Sequence, residues 1–515
     1  MNLLTDPLLS VIAHGASTDV DLSTLFVRYV ADDVEDLPFL RPHQQAPWHR
    51  FCVLLAILAL HRAGSDLISN EADVWRELLR GLTPEWPNDE PWRLIVSEPT
   101  LPAFMQPPIP KGLPDPHRTI IETADDLDVL VTSRNHGVKQ GQAADASPGD
   151  WIAALVSLQT TGGYLGAGNF NVARMNGGFA TCPCIGLVPP GRLGARWRRD
   201  VTVLLRQRDW SFERVDEFAA AGGHALLWCL PWDGARSLDL ADLDPWFIEV
   251  CRRVRLSHDS QGRIVARTAG SATTRVAAKT RNGNVGDPWI PIDLRKGSAA
   301  YNTAPRYPVI AGVLFERKDW IRPLLLDWHR GIDATSMVAR FDVVVRGQGT
   351  TEGHHVREVP IEGERRLSML MLEVERDRLA QLAAEMISHA RDLRLKILKI
   401  PLLTLAQAGA DELDFRDRTS NAWIEPFLHR VDGEIEATFF DHLFTRAEGG
   451  AEADRTWIVF LQHVGKLILG EAVAVLPIAG ARRMKAVAVA EEKWRALFWS
   501  AFKGYLDQRD SRNAG

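Results

Sequence analysis

Two rhythms of apolar and polar positions divide this sequence. In the first 363 residues the apolar runs are short and mixed in period, as in TVLLRQ (202–207), HALLWCL (224–230), PVIAGVLF (308–315) and FDVVVRG (341–347). Strand-like and helical pieces alternate there, with no internal repeat. FCVLLAILAL (51–60) is the longest apolar run; it is too short to span a bilayer and predicts a buried helix. In the last 152 residues four helical patterns follow one another: 363–397, 432–447, 453–476 and 481–506. The first carries Leu367, Leu370, Val374, Leu379, Leu382 and Met386 at helical spacing, with charges between them. Gly449-Gly450 and Pro477 punctuate the series. The pattern predicts an α+β protein: a large irregular mixed α/β domain over 1–362, then an all-α four-helix bundle over 363–515.

Composition sharpens that division. The first 363 residues hold 26 of the 29 prolines and 13 of the 17 tryptophans, so their elements must be short and often interrupted. At 46% hydrophobic and 24% charged, the chain can bury a large core without covalent staples. Its five cysteines are sparse and odd in number, which implies no disulfide framework and fits a reducing cytoplasm. The opening MNLLTDPLLSV has no basic stretch and is broken by Asp6 and Pro7, unlike a secretory signal.

The formal net charge is −6, but it is unevenly spread. Residues 251–286 contain Arg252, Arg253, Arg255, Arg263, Arg267, Arg275, Lys279 and Arg281 against a single acid, Asp259. GRLGARWRRD (191–200) adds four more arginines. Such a bias either lines a groove for a polyanion or is neutralised by partners elsewhere in the fold.

A second unusual stretch is GGYLGAGNFNVARMNGGF (162–179), with six glycines after the helical DWIAALVSLQ (150–159). Asn171 stands where a dinucleotide fingerprint needs its third glycine, and the preceding segment is helical, so a Rossmann turn is excluded. No Gly-Lys-Ser/Thr follows, which excludes a P-loop. The glycines serve either a close backbone approach to a ligand or a plain surface loop. Upstream, TSRNHGVKQGQAADASPG (132–149) has no apolar period and reads as a mobile loop. Catalytic signatures such as HExxH, GxSxG or a kinase set are missing. Cys182 and Cys184 read as small buried residues, and His354-His355 as a solvated loop pair. No cofactor or metal site is expected.

Read in order, NLLTDPLL, PAFMQPP (102–108), the glycine segment ending ARMNGGF, RWRRDVTVLL (196–205), LLWCLPWD (226–233), GDPWIPI (286–292) and the C-terminal helices make a familiar series. The series resembles the large subunit of the type I-E CRISPR surveillance complex Cascade, the CasA family, over most of the chain. Leu8 stands where that family usually carries tryptophan.

The resemblance implies a non-enzymatic DNA-sensing subunit. It would recognise the protospacer-adjacent motif (PAM) in double-stranded DNA, start strand opening and R-loop formation, and help recruit a helicase-nuclease. Its partners would be other Cascade subunits, the CRISPR guide RNA and the duplex target, with no membrane. By the same resemblance, Gly162, Gly163, Gly166 and Gly168 form a loop against the PAM duplex. Lys279 is the minor-groove finger, with Arg281 as the runner-up, and Gln348 in RGQGTTEGHH (346–355) is the strand-parting tip. Arg134 and Lys139 contact the guide RNA. A lone cation in the minor groove meets a degenerate acceptor pattern, so several PAM sequences should be tolerated. Two other classes stay open on the residues alone: a nucleotide-dependent enzyme using the 162–168 loop, and a purely structural scaffold.

Overall fold

The computed structural model describes residues 1–128, 146–175, 180–299, 305–327, 336–346, 353–449 and 451–506. They belong to two compact units: Met1–Pro305 with Lys318–Leu367, and Arg306–Arg317 with Ser368–Gly515.

The first unit is organised on the helix Gln45–Arg62, in which every residue from Phe51 to Leu60 is buried. A helix that is apolar on all sides must be covered on all sides. The helices Pro148–Thr161 and Leu193–Arg206 pack against it. Large aromatic rings fill the gaps: Trp75 and Trp197 both contact Phe26, and Trp228 contacts Phe51, Phe104 and Trp92. TVLLRQ lies in the Leu193–Arg206 helix, while HALLWCL is a short strand, His224–Leu226, running into a 3-10 turn.

Small sheets surround this core. Ser336–Arg346 pairs antiparallel with both Gly353–Glu362 and Ala180–Val188, with Val345 opposite Gly353 and Asp342 opposite Cys184. His354 therefore lies on a strand and not in a loop, and its Nε2 is 2.7 Å from the buried Asp342 carboxylate. The basic segment supplies a hairpin, Arg253–His258 with Ile264–Ala269, extended on its other edge by Thr119–Ile121.

The second unit is helical. Four long helices, Glu373–Asp392, Arg418–Glu448, Ala451–Ala474 and Gly480–Leu506, bury Met386, Phe439, Trp457 and Phe498 in a common apolar interior. PVIAGVLF forms a further helix, Tyr307–Phe315, opened by Pro308 in its first turn, and Tyr307 packs on Phe439. The pattern over 363–397 reads as one helix but is interrupted: Leu372 is extended, and it separates Gly363–Met371 from Glu373–Asp392. Val374 consequently falls on the exposed side of the bundle and not in its core. Glu452–Ala474 is long and apolar enough to cross a membrane, and its Trp457, Leu461, Val464 and Ile468 are buried inside the bundle.

Candidate nucleic-acid interface

The glycine segment begins where the Pro148–Thr161 helix ends. Ser147 caps that helix at its start, accepting from the Asp150 N–H, and Gly162 closes it in an extended conformation with φ −63°. Any residue can adopt that angle, so Gly162 is needed for space. A Cβ there would lie 2.6 Å from both Cys251 Sγ and the Leu158 carbonyl oxygen. Gly168 is needed for its conformation: its φ is +88°, while a Cβ there would make only ordinary contact with the Gly270 backbone. The Val172 N–H donates to the Gly162 carbonyl (3.1 Å) and closes the base of the loop. Asn169 donates to Gly166, Leu165 donates to Asn169, and Ser271 N–H donates to Gly168 (3.1 Å). Tyr164 and Leu165 are left exposed at the tip.

The basic run is largely consumed inside the fold. Arg252, Arg253, Arg255 and Arg275 are all less than a tenth exposed, and their acceptors are mostly backbone carbonyls. Arg255 donates to the carbonyls of Leu101, Gln106, Val96 and Glu98. Arg275 donates to Leu227, Leu230 and Pro231 and sits over the Trp232 ring. Burial pulls both guanidinium groups down to about 10. Arg263 pairs with Asp259, and Arg281 with Glu217 at 2.6 Å. Lys279 and Arg267 are different: both are exposed, Lys279 in a 3-10 turn spanning Lys279–Arg281. Arg192, Arg196, Arg198 and Arg199 of the other basic stretch also bond within the unit.

Of the exposed Lys279 and Arg267, Lys279 lines a groove and Arg267 does not. A cavity of about 860 Å³ is lined by Tyr164, Phe170 and Asn171 of the glycine loop and by Lys279, Thr280 and Asn282 of the turn. Among the described residues that line it, no carboxylate is present and Lys279 is the one cation. The structure thus brings Lys279 to one surface with Tyr164, Phe170 and Asn171 of the glycine segment, not with Gly162, Gly163, Gly166 or Gly168, and leaves Arg281 tied to an acid. Gln348, Arg134 and Lys139 lie outside the described residues.

Beneath the loop is a buried ionic network that the sequence did not advertise. Asp287 pairs with Arg50 and with Arg174 (2.9 Å). Arg50 also donates to Cys182 Sγ, and burial pushes that thiol up. Glu249 receives the Ala173 N–H just after the loop, and burial pushes its carboxyl up to about 7. None of these residues carries a spacing signal, because their partners are remote in sequence. Among the described residues no group of three or more His, Cys, Asp or Glu side chains is placed to hold a metal ion.

The fold assembled in this way is shared with solved structures of CRISPR-associated proteins over nearly the whole chain. Cse1 from Acidimicrobium ferrooxidans superposes with a TM-score of 0.62 at 15% identity, covering 98% of this chain and 99% of that one. Thermobifida fusca Cse1 gives 0.63 at 16% identity, covering 98% of both chains. CasA of Thermus thermophilus gives 0.60 at 15% identity, covering 97% of this chain and 99% of the other. At the level of sequence, no family model and no curated protein matches. The likeness in fold agrees with the order of motifs that resembled the CasA family.

Proposed function

We propose that this chain is the large subunit of a type I-E CRISPR RNA-guided surveillance complex and reads the PAM in duplex DNA. The observation that carries this reading is the groove shared by the glycine loop and Lys279, with no carboxylate in its described lining. Loop N–H groups approach the sugar-phosphate edge, where bare backbone and positive charge fix the register of the duplex. Lys279 enters the minor groove, whose acceptors are common to A·T and T·A pairs, so the motif read is degenerate. Gln348, on the connection between Ser336–Arg346 and Gly353–Glu362, parts the first base pairs, at a cost of a few kcal/mol for one step. Guide-target pairing offsets that cost. Arg134 and Lys139 hold the guide RNA, and the complete complex recruits the helicase-nuclease. The chain itself works as a binding module without catalysis.

The test is a guide-loaded complex reconstituted with and without this chain, offered duplex DNA with an intact or scrambled flank at two salt concentrations. Binding only by the complete complex, and only beside the intact flank, supports the reading. The internal use of four arginines favours a second reading, a structural scaffold, and flank-independent binding would select it. Saturable mononucleotide binding by the isolated chain would favour a nucleotide-dependent enzyme.

A further inference from the structure

We propose that Arg252 is a positioning residue for this interface: it sets the shape of the glycine loop and occupies two of its carbonyls, leaving the loop backbone richer in free donors than in free acceptors. The inference rests on the reading above. Arg252 is buried, and its fork donates to the carbonyls of Gly163 and Phe170, on the outgoing and returning sides of the loop. Its own main chain is fixed to the preceding helix by Gln159. The Gln159 Oε1 accepts from the Arg252 N–H (2.8 Å), and its Nε2 donates to the Arg252 carbonyl (3.0 Å). The clamp is therefore anchored before it grips. With Ser271 on Gly168, the carbonyls of Gly162, Gly163, Gly166, Gly168, Asn169 and Phe170 are all taken.

The N–H groups of Tyr164, Gly166, Ala167 and Gly168 take no part in that set of bonds. The carbonyls of Tyr164, Leu165 and Ala167 take no part in it either, so the loop offers more donors than acceptors, a balance that suits a phosphate. Among the described residues no carboxylate forms an ion pair with Arg252, so its positive charge stays within the loop. A lysine would keep the charge but, as a point donor on a flexible stem, would not span two carbonyls.

The experiment compares wild type, Arg252→Lys and Arg252→Met in the reconstituted complex, with Lys279→Ala as a reference. Affinity is measured for intact and scrambled flanks at two salt concentrations, and amide exchange is followed over 163–170. The expected result for Arg252→Lys is an unchanged salt slope, faster exchange in the loop, and a loss of about tenfold in flank discrimination, the scale of one charge-assisted hydrogen bond. Arg252→Met should lose discrimination and also lower the salt slope. Lys279→Ala should lower the slope by about 1 without changing loop exchange. Wild-type discrimination in Arg252→Lys overturns the proposal. Failure of every Arg252 variant to assemble also overturns it, because the residue would then hold up the unit as a whole. If wild type itself does not discriminate, it is the functional reading that fails.

Discussion

Glu249 accepts the Ala173 backbone N–H on both carboxylate oxygens, at 3.0 and 2.8 Å, across 76 residues of chain. Burial holds this carboxyl near 7, against an ordinary 4.5. The folded state therefore binds the proton more tightly than the unfolded chain. The associated stability is fully present below about pH 4.5 and is lost as pH rises towards 7. His49 runs the other way: burial, followed by the nearby Arg196, lowers it to about 4, so its contribution is present above 6.5 and is lost as pH falls. The two slopes oppose each other between 4.5 and 6.5. Glu249→Gln should make stability rise with pH across that window relative to wild type, by up to about 1.4 kcal/mol per unit. Urea denaturation at a series of pH values measures the difference, and parallel curves would remove Glu249 from the account.

Gly162 and Gly166 should respond differently to alanine. Gly162→Ala drives a methyl into Cys251 and the Leu158 carbonyl, an overpacking cost of about 1–3 kcal/mol. Gly166→Ala meets nothing within 4 Å but is strained by φ +105°, at roughly 1–2 kcal/mol. The distinguishing readout is reactivity of Cys251 toward a thiol reagent, expected to rise in Gly162→Ala only.

Lys279→Ala and Arg281→Ala separate the two finger candidates. Lys279 faces the groove and Arg281 is paired with Glu217. Loss of Lys279 should weaken duplex binding most beside the intact flank, relax discrimination against a scrambled flank and, by removing a positive charge, cut the salt slope by about 1. Loss of Arg281 should leave that slope nearly unchanged. A salt titration of DNA affinity decides between them, and the reverse order would make Arg281 the finger.

Gly465 is where the Trp494 ring enters the bundle, since any Cβ at that position would overlap the ring. Alanine is favoured over glycine in a helix by about 1 kcal/mol. Displacing a buried tryptophan costs more, about 1–3 kcal/mol, so Gly465→Ala should lower the stability of the second unit. Differential scanning calorimetry resolves it, and an unchanged or raised midpoint contradicts the packing argument.

Much of this was legible in the order of residues. FCVLLAILAL could only be a buried helix, and the long-period apolar stripes marked the helical unit. The start of Arg418–Glu448 was hidden by Pro426, which normally stops a helix. Burial of Ile424, Leu428 and Val431 on one face carries the helix through it. The break at Leu372 was hidden by charges that kept the helical period running. The destination of the arginines was hidden for a deeper reason: carbonyl oxygens carry no residue identity, so no spacing announces them.

That last feature bears on how such a chain can drift. An arginine held by a carboxylate is exposed to loss of its partner, and a compensating change must follow. Arg252, Arg255 and Arg275 are held mainly by oxygens that every amino acid supplies. The residues that supply those oxygens can be exchanged wherever space and backbone conformation allow, provided the backbone path is kept. Pairwise covariation should therefore be weak at these positions, and the scaffold around the groove can outlast almost all resemblance between the side chains that build it.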